Sequence, residues 1–249
     1  MTTNKELRTD MKIVVEPSKF RRLLENVLIY HGDVELDTNV GTFTPTRAEF
    51  RDVSLEVVSV YAVYNREFFI DYDASGEQIP LSKSLLDQMK TGFSSEKLMS
   101  VYTEKDKIHL EGETEHYEEL LTKAVPSEFP ISFTVDDILG LVPKNLNAIV
   151  QLSAEAETLA SLPRAEEYLF RCDGKKLEVV VEDVGKYTKK IVPIIEKSMG
   201  ELEVKFNAAY YVKVSSQFGG EVFLSLNKDA AVFSQKKDDC MLTYMLGAL

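Results

Sequence analysis

Cysteine is nearly absent from this chain of 249 residues. Cys172 and Cys240 are the only two, and they form no metal-ligand spacing. A reducing, intracellular compartment fits that usage best. Long apolar runs are absent too, and no stretch approaches the ~18–20 apolar residues that a membrane-spanning helix needs. The opening residues, MTTNKELRTD, are polar and hold no apolar h-region, so no secretory signal is expected there. Basic residues are the minority, 29 against 41 acidic, for a net charge of −12. A protein that holds DNA by neutralising phosphates usually carries the opposite sign. Bulk charge therefore argues against simple nucleic-acid binding and leaves room only for a basic patch on an acidic body. Disorder of the whole chain is excluded, because 44% apolar and 28% charged residues are the proportions of an ordinary globular protein.

The motifs of common chemistries are missing as well. There is no GxxxxGK[ST], no GxGxxG and no GxSxG, hence no phosphate cradle and no nucleophile elbow. His31, His109 and His116 are scattered, and none forms HExxH. His116 lies in an acidic strand and reads as a solvated or packing residue. The pairs Asp136-Asp137 and Asp238-Asp239 read as helix-start and turn residues rather than metal ligands. Cys172 precedes Asp173-Gly174, a turn signal, and reads as the end of a strand rather than as a thiol nucleophile. No catalytic residue, metal site or cofactor is expected.

What is present is a pattern that occurs twice. Met11–Glu16 reads as a strand, and Pro17 suits the first position of a helix. Phe20, Leu23, Leu24, Val27 and Leu28 then recur on one helical face. Strands are expected at Val34–Asp37, Gly41–Arg47, Val53–Tyr64 and Glu67–Tyr72. A second helix is expected over Leu81–Thr91, and three more strands at Lys97–Thr103, Lys107–Glu111 and Glu115–Leu121. The order then repeats. Ile13–Leu24 aligns with Leu139–Val150, with Pro17 matched to Pro143. Leu81–Leu86 aligns with Phe206–Tyr211, and Leu98–Val101 with Phe223–Leu226. These offsets are 126, 125 and 125 residues, half the chain. Residues 1–10 read as a flexible tail, 11–121 as domain 1, 122–137 as a proline-containing extended connector, and 138–249 as domain 2. The stretch Ser153–Ala165 looks like an addition to the second repeat. There the third helix is expected to run on from Pro143 toward Ala160 before Pro163 interrupts it.

Four segments carry a family resemblance. Asp52–Val60 resembles the strand after the first hairpin of sliding clamps of the proliferating-cell nuclear antigen type, found in eukaryotes, archaea and some tailed phages. Val125-Pro-Ser-Glu-Phe-Pro130 resembles their interdomain connector. Cys172–Val181 resembles the matching hairpin of the second domain, and Leu242–Ala248 the hydrophobic C-terminal strand. The similarity runs from about Met11 to Ala248. Where the family has an Ala-Pro pair, this chain reads Gly247-Ala248, so an archaeal, viral or phage-like member is a natural reading. The resemblance implies an α+β chain of two similar clamp domains, with helices on one face and antiparallel sheets on the other, three subunits closing a ring. It implies no enzymatic activity, but a processivity factor that encircles duplex DNA and tethers DNA polymerase, clamp loader and other clamp-binding proteins in the cytoplasm or nucleoid. Two alternatives stay open: a subunit of a heterotrimeric clamp, and a duplicated scaffold that binds only proteins.

The charge pattern bears on this independently. The four expected helices hold Lys19, Arg21, Arg22, Lys83, Lys90, Lys144 and Lys213 against Glu25 and Asp87. That is net +5, leaving −17 for the rest, so the helices are the basic islands expected to face DNA. Such contacts would go to phosphate and carry no sequence information. For ring closure, the resemblance pairs the last strand of domain 1 with a domain-2 strand of the neighbour. Glu115, Tyr117, Glu118 and Glu119 lie on the first. Lys186, Lys189, Lys190 and Ile191 lie on the second. Opposite charges on two edges favour their pairing and disfavour self-pairing. For clients, the resemblance points to Ala48, Val53, the connector residues Val125, Pro126 and Phe129, and the C-terminal Tyr244, Met245, Leu246, Gly247 and Ala248.

Overall fold

The computed structural model describes residues 11–28, 38–54, 58–121, 147–182 and 185–249. The chain divides into two compact units, Met1–Asp52 with Ala62–Ser127, and Val53–Tyr61 with Glu128–Leu249.

Unit 1 begins with strand β1 (Lys12–Val15), whose Ile13 and Val15 are buried, followed at once by helix α1 (Pro17–Val27). Pro17 is compatible with the first helical turn because its missing N–H has no partner to lose there. The apolar stripe read from the sequence is the buried stripe: Phe20, Leu23, Leu24, Val27 and Leu28 are all in the core. Each such side chain contributes about 1.5–3 kcal/mol on burial. At the far end of α1, Asn39 Nδ2 donates to the Val27 carbonyl at 3.0 Å, satisfying one of the carbonyls that a helix end leaves open. Helix α2 (Lys83–Thr91) packs against α1 and buries Leu85, Leu86 and Met89. Its N-cap is Ser82, whose Oγ accepts from the Leu85 amide at 3.0 Å.

The strands of unit 1 form two antiparallel arrangements. Strands β2 (Thr38–Phe43), β3 (Arg47–Ser54) and β6 (Glu77–Ser82) run in the order β3-β2-β6, with Ala62–Asn65 of β4 (Val58–Asn65) beside β3. Gly41 faces Phe50 across β2 and β3, and a β-carbon there would collide with the Phe50 ring. Strands β5 (Asp71–Asp73), β1, β7 (Met99–Glu104), β8 (Lys107–Glu111) and β9 (His116–Leu120) form a five-stranded sheet in that order, so β9 is its edge. The run expected as a strand over Glu67–Tyr72 is instead a short 3₁₀ turn, Arg66–Phe68, leading into β5. Its aromatic residues had mimicked a strand. They form a chain of ring contacts from Tyr64 through Phe68 and Phe69 to Tyr72, at centroid spacings of 4.7, 5.1 and 5.0 Å. The strand expected at Val34–Asp37 lies outside the described residues.

Unit 2 repeats the scheme. Strand β10 (Val150–Glu155) leads directly into helix α3 (Ala156–Ala160). Strands β11 (Glu167–Asp173), β12 (Leu177–Glu182), β13 (Lys186–Ile191) and β15 (Glu201–Asn207) form a sheet ordered β13-β12-β11-β15, with β13 at the edge. Strands β14 (Ile195–Met199), β10, β16 (Glu221–Leu226), β17 (Ala230–Lys236) and β18 (Cys240–Gly247) run side by side, with Val58–Tyr61 of β4 next to β18. Helix α4 (Ala208–Ser215) is capped by Asn207, whose Oδ1 accepts from the amides of Ala209 and Tyr210. Tyr211 sits at the centre of the core. Its ring meets Tyr168, Phe170 and Phe233 at 5.2–5.6 Å, and its hydroxyl donates to the Leu159 carbonyl at the end of α3.

The third helix is a correction to the sequence reading. The described part of the expected Pro143–Ala154 helix is not helical: Val150–Glu155 is strand. The counterpart of the Glu16-Pro17 junction is Glu155-Ala156, 139 residues on. Both glutamates stand at the helix N-cap with nearly the same backbone, φ −66°, ψ 131° and φ −64°, ψ 133°. Buried Phe20 then corresponds to buried Leu159. Ser153–Ala165 is therefore no addition but the strand-to-helix start of the second repeat. Pro143 drew the alignment to the wrong place because proline is optional at a first helical turn. A five-residue helix is also too short to show a 3.6-residue period. The second-helix alignment is as expected: the N-caps Ser82 and Asn207 lie 125 residues apart.

Candidate nucleic-acid interface and subunit edges

Of the basic residues expected to face DNA, Arg21, Arg22 and Lys90 are exposed and Lys19, Lys83 and Lys213 are half-buried, all on helices. On α1, Lys19 lies 3.9 Å from Glu16, Arg21 is 3.0 Å from Glu25, and Arg22 is 3.9 Å from the same carboxylate. On α2, Lys90 lies 3.8 Å from Asp87, and Lys83 opens the helix. On α4, Lys213 sits 6.0 Å from the Tyr210 ring centroid. Lys144 lies outside the described residues. The ion pairs are solvent-exposed contacts within one or two turns, each contributing about 0–1 kcal/mol. They are weak enough to exchange for a phosphate. With the observed boundaries, α1 and α2 hold five basic and two acidic residues, net +3. Helices α3 and α4 hold one of each, Lys213 and Glu157, net 0. The basic surface is thus concentrated on unit 1. A groove of about 600 Å³ there is lined by Arg21, Arg22 and Lys97 but equally by Glu16, Glu25 and Glu96, so it is no dedicated anion pocket.

The two strands expected to join subunits are both sheet edges. On β9 the side chains alternate between half-buried Tyr117 and Glu119 and exposed His116, Glu118 and Leu120. Glu119 Oε2 accepts from Ser84 Oγ of α2 at 2.7 Å and from the Tyr117 hydroxyl at 2.8 Å. Glu118 forms an ion pair with Lys107, which holds its carboxyl below the usual range. On β13, Ile191 is buried, and Lys189 Nζ donates to the Ser161 hydroxyl at 2.6 Å, at the end of α3. Lys186 and Lys190 take the other face, Lys186 3.6 Å from Glu182. Each edge therefore shows charge of one sign on both faces. Sequence reasoning missed that each also exposes a large apolar group: Leu120 is 61% exposed and Tyr187 42%. Alternation along the strands was the signal for it.

The turn that presents β9 is built around one carboxylate. Glu96 accepts from the amides of Glu113, Thr114 and Glu115 and from Thr114 Oγ1, at 2.7–3.1 Å. The Thr114 hydroxyl and then the amides hold its pKa below the usual 4.5. Gly112 makes room for it: a β-carbon there would lie 2.6 Å from Glu96 Cδ.

The residues expected to meet client proteins divide by burial. Ala48, Tyr244 and Leu246 are fully buried, so they shape a surface from beneath at most. Tyr244 packs edge-on against Phe218 at 5.4 Å. On the other face of β18, Met245 clusters with Ala230 and Val232, and half-buried Ala148 packs against them. Gly247 and Ala248 are partly exposed, and Leu249 is exposed. Val53 lies in β3. Val125, Pro126 and Phe129 lie outside the described residues. Among the described residues no helix is long and apolar enough to cross a membrane.

Two α+β units, each with paired short helices and antiparallel sheets, define a duplicated DNA-clamp fold. Solved clamps of the proliferating-cell nuclear antigen (PCNA) type share this fold. A. fulgidus PCNA, solved with the C-terminal region of FEN-1 bound, superposes with a TM-score of 0.76 at 13% identity, covering 96% of this chain and 98% of that one. PCNA from Thermococcus kodakaraensis gives 0.75 at 16% identity, over 96% and 100%. The PCNA2–PCNA3 complex from Sulfolobus tokodaii gives 0.72 at 16% identity, over 96% and 99%. No family model and no curated protein matches the sequence.

Proposed function

We propose that this chain is a DNA sliding clamp: a non-catalytic, intracellular ring subunit that encircles duplex DNA and tethers DNA polymerase and other replication or repair proteins. The observation that carries the reading is the clamp fold over 96% of the chain. The edge strands of opposite charge support it. A ring of three copies forms by pairing β9 of one with β13 of the next, a head-to-tail contact that closes when its rotation permits. Glu118 and Glu119 then meet Lys189 and Lys190, and Leu120 and Tyr187 leave water. Lys19, Arg21, Arg22, Lys83, Lys90, Lys144 and Lys213 face DNA. Their contacts are few and exchangeable, which suits sliding. Clients dock at Met245 and Gly247 of β18 and at Ala248, the residue after it, with Tyr244 and Leu246 beneath; the resemblance adds Ala48, Val53, Val125, Pro126 and Phe129. A clamp loader opens one junction to admit DNA.

Replacing Lys19, Arg21, Arg22, Lys83 and Lys90 with glutamine tests DNA encirclement against a scaffold that binds only proteins. Each lost phosphate contact lowers the slope of log affinity against log salt by about 0.9. The clamp reading expects weaker duplex binding and a shallower salt dependence with the assembly unchanged. Unchanged DNA binding would favour the scaffold.

A further inference from the structure

We infer that the β8–β9 hairpin carries a site for a divalent transition-metal ion, ligated by His109, His116 and Glu118. From the sequence His116 reads as a solvated or packing residue and no metal spacing is visible, because the ligands converge across a hairpin and not along a helix. The register sets His109 directly opposite Glu118 and places His116 two residues before Glu118 on the same strand face. One ligand atom from each of the three lies within 4.8 Å of the other two. His109 Nδ1 and Glu118 Oε2 are already 3.7 Å apart. Metal–ligand bonds of 2.0–2.2 Å in a tetrahedron put ligand atoms about 3.4 Å from one another. The remaining convergence is within reach of the two exposed side chains, His116 and Glu118.

A second observation points to the same place. His109 is only 7% exposed, and its Nδ1 is a buried polar atom with no hydrogen-bond partner. Such an atom costs about 1–3 kcal/mol when left unsatisfied, and a metal ion would satisfy it. The surroundings resemble a built site. Tyr102 stacks on the His109 ring at 4.8 Å and 6°, fixing its plane, and the His116 ring lies 5.8 Å away. Lys107 holds Glu118 by Oε1, leaving Oε2 turned toward His109. Outer partners that orient a ligating carboxylate in this way are a usual part of metal sites. Two imidazoles and one carboxylate suit zinc, with a fourth position for water. A bound ion would pin the edge strand β9 to β8. The inference stands on unit 1 alone and does not depend on ring formation.

The probe is Zn²⁺ itself, titrated into the full-length chain in competition with a chromophoric chelator, with amide exchange followed in parallel. One ion per chain is expected, together with slower exchange of the β9 amides. His116→Ala and Glu118→Gln, both at exposed positions, should each abolish the site. Lys107→Met should weaken it by about 10–100-fold, and His31→Ala should leave it intact. X-ray absorption of the loaded protein should report two imidazole ligands. Absence of zinc binding at micromolar free ion would overturn the inference. So would binding that survives both His116→Ala and Glu118→Gln, since the ion would then sit elsewhere. Circular dichroism of the variants separates loss of the site from loss of the fold.

Discussion

Gly112 and Glu96 illustrate how single residues position the edge on which the account depends. A methyl group at Gly112 would press on the Glu96 side chain and displace the carboxylate from the turn it organises. Gly112→Ala is therefore expected to speed exchange of the Thr114 and Glu115 amides while leaving the buried strands protected. Protection unchanged at those amides would contradict this. Because the Glu96 pKa is lowered in the folded chain, its contribution is complete above the unfolded value, near 4.5. It is lost as pH falls through the lower folded value. Glu96→Gln should remove that acid transition from the turn amides, as NMR shifts across the acid range would report. In the core, Asn26 Nδ2 donates to the Tyr64 hydroxyl at 3.0 Å, both buried. Tyr64→Phe strips a buried donor of that acceptor and should cost about 1–3 kcal/mol in urea unfolding. A loss below a few tenths would mean that the donor finds another partner.

At the scale of elements, legibility followed length and period. Helix α1 and strands β8 and β13 fall where the sequence placed them, because each carries a full apolar stripe, an alternation or a charge signature. Helix α3 was misplaced. Five residues give no period, and Ala156 occupies the place that Pro17 takes in the first repeat. The aromatic run around Phe68 was misread because ring packing and strand propensity favour the same residues. The candidate edges came from the resemblance, with their opposite charges in accord; for the exposed Leu120 and Tyr187 alternation was the one signal, since exposure depends on which strand is outermost. The edges also carry a sharp prediction. Lys189→Glu with Lys190→Glu places like charge on both edges and should break the assembly into monomers with unchanged circular dichroism. Adding Glu118→Lys and Glu119→Lys to the same chain restores opposite signs and should restore assembly. Failure of that rescue would mean that the two strands do not meet.

Over the whole molecule, the net charge of −12 conceals an uneven distribution, with +3 on α1 and α2 and none on α3 and α4. In the proposed ring, the acidic remainder of the chain would repel DNA and the mildly basic helices would tolerate it. That is the balance a protein needs if it is to stay on DNA by topology rather than by affinity. Topology requires a closed ring, and this is the central claim. Light scattering over a dilution series measures it most directly. The account predicts a species of three times 28.2 kDa that persists on dilution and is lost in the Lys189, Lys190 double variant. A chain that remains a monomer at micromolar concentration would contradict it.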